Sequence, residues 1–356
     1  MKYSKKSLLI IHKTQFGYLT DVYKWCQYLR NEYDITVVSL NQGFAQVSLD
    51  GVKVIDVCGK KYYYRGISFL IRSIIEILKC KGVVVLCYFE EVELLRRFFP
   101  KKKMILDIRT LGVGEDDEKR KKHDSKLGML LPRFSNVTVI SEGIKLLLGE
   151  NAKSAYVIPL GADIRQTDLI KNKSPRLLYV GTLSNRRIED TIKGLKIFVD
   201  NNQELDIIYD IIGDGRTNEL EKLKELVAEL ELQKYVIFHG RIPNDKIGPF
   251  LDKSNIGVSY IPITEYYDYQ PPTKTFEYVL AGLLCLATAT HCNKELITAK
   301  NGCLIQDTPE AFADGLKCCC EKLKSYNPKI VRQTLSNYTW ENIVNKKLKV
   351  VLDNAM

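Results

Sequence analysis

Short apolar runs recur along this chain with room for one helix between each pair, and the pattern stops once and then begins again. Strands are predicted over 8–11, 35–40, 83–88, 104–107, 137–140 and 155–158, with helices over 18–31 and 68–79. A polar stretch from Arg165 to Pro175 interrupts the alternation and reads as a linker. Beyond it, strands are predicted over 176–180, 205–212, 235–238, 256–260 and 283–287, with helices over 188–201, 218–231 and 244–251. Strands separated by helices line up in parallel, and each parallel sheet buries both faces under helices. The expectation is therefore an α/β chain with two doubly wound domains, 1–165 and 166–338, and a last helical segment, 339–356. A chain of 356 residues is long enough for two such cores. Trp340 to Asp353 carries Ile343, Val344, Leu348, Val351 and Leu352 at helical spacing, which makes it amphipathic.

Composition excludes several classes. Hydrophobic content of 45% with 27% charged residues is that of a globular protein. Apolar runs such as Val83 to Phe89 fall far short of the ~20 residues that cross a bilayer. Lys5-Lys6 followed by Leu8-Leu9-Ile10-Ile11 looks like a signal peptide until His12 and Lys13 end it too soon, so it reads as a first buried strand in a cytoplasmic chain. None of the ten cysteines forms C-x-x-C. On a helix, Cys318, Cys319 and Cys320 point about 100° apart and cannot share a tetrahedral ion. The cysteines are expected to act as small hydrophobes in a reducing compartment.

Charge is unevenly divided. Residues 1–165 hold 28 Lys and Arg against 18 Asp and Glu, a balance of +10, whereas 166–356 hold 25 of each. Arg96 to Lys103 is one basic cluster, and Lys119-Arg120-Lys121-Lys122-His123, leading into Leu127, Met129, Leu130 and Leu131, is another. The second suits an anionic membrane surface, a lipid diphosphate or an anionic glycan, or else a solvated basic face. No nucleic-acid motif accompanies either.

Pro271-Pro272-Thr273-Lys274-Thr275-Phe276-Glu277-Tyr278, closed by Gly282 and the apolar run 283–287, carries the most chemistry. It predicts a proline-fixed loop, a helix with Thr273 at its cap, Lys274 and Glu277 near its start, and a buried strand. Amides and the positive end of a helix dipole can meet a diphosphate, and a carboxylate just inside the helix can accept from ribose hydroxyls. The bland alternative is an ordinary loop, helix and strand.

The wording P-x-K-x-x-E-Y-x-x-x-G resembles the nucleotide-sugar segment of family 4 retaining glycosyltransferases of the GT-B fold. Further landmarks follow in the family's order: Val139 to Gly143, Val157 to Asp163, Leu177 to Leu183 with Arg186 and Arg187, Ile211 to Gly215, and Val236 to Pro243. The resemblance is good from about Ser141 onward. It implies two Rossmann-like domains facing across a cleft, acceptor-binding first and nucleotide-sugar-binding second, with the terminal helix crossing back to the first. It also implies site residues. Arg187 falls where the family has a phosphate-binding lysine, with Arg186 beside it and Gly181 giving the ligand close approach; Lys274 and the amides near Thr273 complete the diphosphate clamp. Glu277 would hold the ribose, and Gly213, Gly215, Arg241 and Ile242 would line the base pocket. Gly17 lies in the loop after the first strand, and Asp107 and Arg109 at a strand's carboxyl end would face the acceptor.

No two aspartates are separated by one residue, so a metal-free clamp is favoured over an Asp-x-Asp metal site. Three departures stand out: Thr182 replaces an arginine, Tyr269 replaces a sugar-contacting glutamate, and Gly17 is single where relatives have two glycines. Glu265 or Asp268 could substitute at the sugar, or the aromatic run 266–269 could shape its pocket. The resemblance implies a cytoplasmic, membrane-peripheral retaining glycosyltransferase with no cofactor, moving a sugar from a nucleoside diphosphate to a surface glycan or its lipid carrier. A sugar-nucleotide epimerase of the same fold, or a silent scaffold in glycan assembly, are the alternatives.

Overall fold

The computed structural model describes residues 5–58, 62–165, 174–215 and 218–356, so 166–173 of the expected linker and the first four residues of the signal-like start lie outside the described residues. The chain divides into two compact units, Met1–Leu160 with Trp340–Met356, and Gly161–Thr339.

The first unit runs β1 (Lys6–Ile11), α1 (Thr20–Leu29), β2 (Tyr33–Leu40), β3 (Val52–Val57), α2 (Tyr62–Lys79), β4 (Val83–Cys87), α3 (Val92–Phe98), β5 (Met104–Ile108), α4 (Asp117–Leu130), β6 (Asn136–Val139), α5 (Glu142–Leu147) and β7 (Tyr156–Val157). Its seven strands are parallel in the order β3-β2-β1-β4-β5-β6-β7. β1 sits in the middle because Leu8, Leu9, Ile10 and Ile11 have nothing polar to present to either face; all are buried, with Leu8 opposite Ile35 on one side and Val83 on the other. β3 is absent from the strands expected above. It is an edge strand, mostly half-buried, whose apolar and polar residues are mixed.

The second unit continues with β8 (Arg176–Val180), α6 (Ile188–Asp200), β9 (Ile208–Ile212), α7 (Glu219–Glu229), β10 (Val236–Gly240), α8 (Gly248–Lys253), β11 (Ile256–Ser259), α9 (Glu265–Asp268), α10 (Thr273–Ala281), β12 (Leu284–Thr288), α11 (His291–Leu296), β13 (Gly302–Ile305), α12 (Pro309–Leu323) and α13 (Pro328–Gln333). Six parallel strands lie in the order β10-β9-β8-β11-β12-β13. The order reverses between β8 and β11, and loops at the carboxyl ends of strands beside such a reversal form the crevice where ligands bind in sheets of this kind. The expected helix over 244–251 is instead a 3₁₀ turn, Asn244–Lys246, followed by α8. Arg165 belongs to this second unit: its guanidinium faces Asp252 at 3.3 Å, and its carbonyl accepts from Arg332 Nη1 at 2.8 Å. The chain thus changes unit before Arg165.

One expectation about cysteine is corrected here. Cys303 of β13 and Cys318 of α12 are joined by a disulfide, because α12 lies along β13 and brings their Cα atoms to 6.6 Å. The pair has no motif spacing, so the sequence offered no sign of it. Eight other cysteines are free thiols, six of them buried.

The last segment returns to the first unit as α14 (Trp340–Ile343), a π turn (Val344–Leu348) and α15 (Lys349–Ala355). Trp340, Ile343, Val344, Leu348, Val351 and Leu352 are all buried. The Asp353 carboxylate accepts from Lys6 Nζ at 2.7 Å and from Tyr33 Oη at 3.0 Å, tying the chain's end to the start of β1 and β2.

Candidate nucleotide-sugar site

The loops after β8, β9 and β10 and the short helix α9 enclose a pocket of about 660 Å³ in the second unit. Gly181, Arg186, Gly213, Gly215, Arg241 and Ile242 all line it, with Thr182, Asp214 and Tyr267 among their neighbours. The glycines are there for close packing. Gly213 N–H donates to the Gly240 carbonyl at 2.9 Å, and a Cβ at Gly213 would stand 1.9 Å from the Gly181 carbonyl oxygen. The Leu183 amide reaches the Asp214 carbonyl at 2.9 Å, so the turns after β8 and β9 are laced together into one floor.

Lys274 reaches the same place from α10. Its Nζ donates to Tyr179 Oη at 3.1 Å and lies 4.2 Å above that ring, and a Cβ at Gly181 would stand 2.9 Å from it. Arg186 lies over the Tyr267 ring at 4.5 Å and donates to its hydroxyl. Among the described residues no carboxylate lies within 4.0 Å of Arg186, Arg241 or Lys274. Two uncompensated arginines on the pocket wall, with the Lys274 amine close behind Gly181, favour an anion.

The start of α10 adds to that field. Pro272, not Thr273, occupies its N-cap and no side chain caps the helix, so the expected threonine cap is corrected: Thr273 is the first helical residue. A proline cap leaves the Thr273 and Lys274 amides without a side-chain acceptor, whereas the Thr275 amide donates to the Pro272 carbonyl at 3.2 Å. Burial lowers Lys274 to about 7, helped by the nearby charge of Arg186 and opposed by Glu277. Burial likewise raises Glu277 to about 7, opposed by Lys274. Both side chains are half-buried at the protein surface. The directions follow from packed surroundings that no ion pair relieves. Tyr278 anchors the helix by accepting from the Val180 amide at 2.8 Å, and Phe276, Val279 and Leu280 fill the core beneath.

Several expected site residues lie elsewhere. Arg187 has a left-handed backbone, φ 52°, which turns its guanidinium onto Asp190 at 2.7 Å and Asp307 at 3.2 Å. It does not line the pocket, whereas Arg186 does. Asp107 and Arg109 are corrected as acceptor-facing groups. Asp107 is fully buried and accepts from Thr138 Oγ1 at 2.7 Å; Arg109 donates through Nε to Asp21 at 2.8 Å and through Nη1 to the Ile158 carbonyl at 2.7 Å. Burial raises Asp107 to about 6 against the pull of Arg109 and Thr138. This is an internal network that joins β5, β6 and α1. Gly17 is in the first unit, where its φ of 89° and a Val47 side chain 2.6 Å from any added Cβ require glycine. Asp268, considered as a sugar contact, accepts from the His291 amide at 2.7 Å, and the Tyr269 ring lies 4.5 Å from that of His291. Tyr267, of the aromatic run considered for the sugar pocket, lines this pocket, and Ser184 and Asn185 are lining residues that the sequence reading missed.

The basic cluster is corrected too. Leu127, Leu130 and Leu131 are core residues and only Met129 is exposed, while Lys119, Arg120 and Lys121 pair with Asp116 and Asp117 on their own helix. Basic and apolar groups therefore do not share a face there.

Residues 174–322, which contain the whole pocket, match the family model described as Glycosyl transferases group 1. No curated protein sequence matches the chain. Solved structures do. A glycosyltransferase from Rickettsia africae is similar over 99% of both chains at 18% identity, TM-score 0.73. The lipopolysaccharide outer core galactosyltransferase WaaB is similar over 98% of this chain and all of its own, at 16% identity and TM-score 0.73. Anabaena HepE, solved with UDP and glucose, is similar over 98% of this chain and all of its own, at 12% identity and TM-score 0.71. The fold is GT-B.

Proposed function

We propose that the protein is a retaining glycosyltransferase that moves a sugar from a nucleoside-diphosphate sugar to a glycan or lipid-linked acceptor in surface-polysaccharide synthesis, working in the cytoplasm without a metal or other cofactor. The observation that carries this is the pocket: Arg186 and Arg241 line it without carboxylate partners among the described residues, and the uncapped start of α10 brings Lys274 against Gly181 on its wall. Arg186, Lys274 and the first amides of α10 hold the diphosphate; Glu277 accepts from the ribose hydroxyls; Gly213, Gly215, Arg241 and Ile242 line the base. In the transfer, the bond from the anomeric carbon to the β-phosphate oxygen breaks and its electron pair leaves with the phosphate. The acceptor oxygen bonds to the same face of the sugar and gives its proton to that phosphate. Charge growing on the leaving group is what preplaced cations stabilise most. UDP bound to HepE and sugar transfer by WaaB, proteins of the same fold, support the reading.

The test is incubation with a panel of nucleotide sugars and product analysis by mass spectrometry and NMR. Expected is slow conversion of one donor to nucleoside diphosphate and free sugar, with the anomeric configuration kept. An epimerised sugar nucleotide with no cleavage would make the protein an epimerase, and no change in any donor would leave a scaffold.

A further inference from the structure

Helix α2 buries one face and leaves the other bare. Phe69, Ser73 and Ile77 are fully buried, and Phe69 meets Phe89 edge-on at 5.4 Å. On the opposite side Tyr64, Ile67, Ile71, Ile75 and Leu78 recur every three or four residues and are exposed by 65%, 42%, 54%, 36% and 69%. That spacing puts all five on one stripe of a helix about 27 Å long. A run of exposed isoleucine and leucine on one helix marks a surface that something apolar covers.

Charge selects what covers it. Residues 62–81 carry Arg65, Arg72, Lys79 and Lys81 against one carboxylate, Glu76. Glu76 is buried, and Lys53, Arg72 and Lys79 crowd it at 3.8, 3.0 and 3.2 Å, so it is outnumbered by the cations around it. A second copy of this chain docked on the stripe would set these positive side chains against one another, because a two-fold contact joins like to like. An anionic bilayer satisfies both features, taking the apolar stripe below its headgroups and the lysines and arginines among them. No described helix is long and apolar enough to cross a membrane, which leaves binding in the plane of the interface.

We propose that the exposed stripe of α2, Tyr64, Ile67, Ile71, Ile75 and Leu78, is an in-plane docking surface for anionic lipid bilayers. The surface is remote in sequence from the nucleotide pocket and stands without the functional reading above. The experiment is vesicle flotation of the full chain with phosphatidylcholine alone and with phosphatidylcholine containing about one third phosphatidylglycerol, beside the variant Ile71→Ser/Leu78→Ser and the charge variant Lys79→Gln/Lys81→Glu, in which Lys53 and Arg72 remain on Glu76. All four positions are exposed, so circular dichroism and thermal unfolding should match wild type. Expected is binding to the anionic vesicles, weakened about tenfold or more by either variant, and little binding to neutral ones. Equal flotation of wild type and both variants overturns the proposal, as does wild type that floats with neither vesicle. Sedimentation velocity decides the competing occupant: a dimer that Ile71→Ser/Leu78→Ser dissociates, with no vesicle binding, assigns the stripe to a second copy and overturns it also.

Discussion

Two neighbouring arginines show how much a single backbone angle decides. Arg186 and Arg187 are indistinguishable by composition, yet Arg187 adopts φ 52° and spends its guanidinium on Asp190 and Asp307, while Arg186 stays at the pocket on Tyr267. Arg186→Ala is expected to cut kcat/KM at least 100-fold, since one preplaced cation on a leaving phosphate is worth roughly 3 kcal/mol. Arg187→Ala should cost mainly stability, about 1 kcal/mol, because its pairs are half-exposed and screened. Steady-state kinetics and chemical unfolding on both variants check this, and the reverse ranking would return the phosphate role to Arg187. Lys274 gives a second prediction. With its ammonium lowered to about 7, the free site is part neutral at pH 7. A bound diphosphate favours the charged form and raises that value, so binding takes up a proton, and affinity falls as pH rises above 7. The slope approaches about 1.4 kcal/mol per pH unit at most. Calorimetry in buffers of different ionisation heat measures the uptake, and a pH-independent affinity between pH 7 and pH 9 would remove Lys274 from the anion site.

At the scale of elements, the strands that carry the pocket were the most legible. β8, β11 and β12 are buried on both faces, and a strand with no solvent face shows as an unbroken apolar run. The helix after Pro272 was legible for the same kind of reason, since proline stops what precedes it and Gly282, with φ 93°, ends it. Burial of polar groups was not legible. Asp107 stands at the carboxyl end of β5, where a ligand group would also stand, and only packing reveals that Thr138 and Arg109 enclose it. The leucines after Lys122 likewise gave no sign of which way they face. The floor of the pocket makes its own prediction. Gly213→Ala forces a methyl group to within 1.9 Å of the Gly181 carbonyl, so the turn after β8 must move. A loss of about 1–3 kcal/mol in urea unfolding is expected, together with weakened nucleotide binding. Wild-type affinity in this variant would mean that the floor does not shape the site.

For the whole molecule, the notable feature is that the chain's end belongs to the unit its beginning forms. Trp340–Met356 belongs to the first unit, where it packs on α1 and Asp353 bonds to Lys6 of β1 and Tyr33 of β2, and Leu352 is fully buried there. Leu352→Ala should destabilise the first unit by about 2–5 kcal/mol, whereas Val350→Ala, at a position 49% exposed, should stay within about 0.5 kcal/mol. Nucleotide binding should survive both, because the pocket lies wholly in Gly161–Thr339; differential scanning calorimetry with and without ligand separates the two effects. The +10 balance of residues 1–165 was legible as a count, but where it meets apolar surface was not, since only the structure shows that α2, not α4, leaves its apolar residues bare. The second unit is expected to hold a nucleoside diphosphate through Arg186 and Lys274. Isothermal titration of UDP, GDP, ADP and CDP into the wild type and into Arg186→Ala/Lys274→Ala tests it most directly. At least one of the four should bind the wild type, and the double variant should bind it at least 100-fold more weakly, at roughly 1.4 kcal/mol per factor of ten. Binding of equal strength to both proteins, or none to either at millimolar ligand, would contradict it.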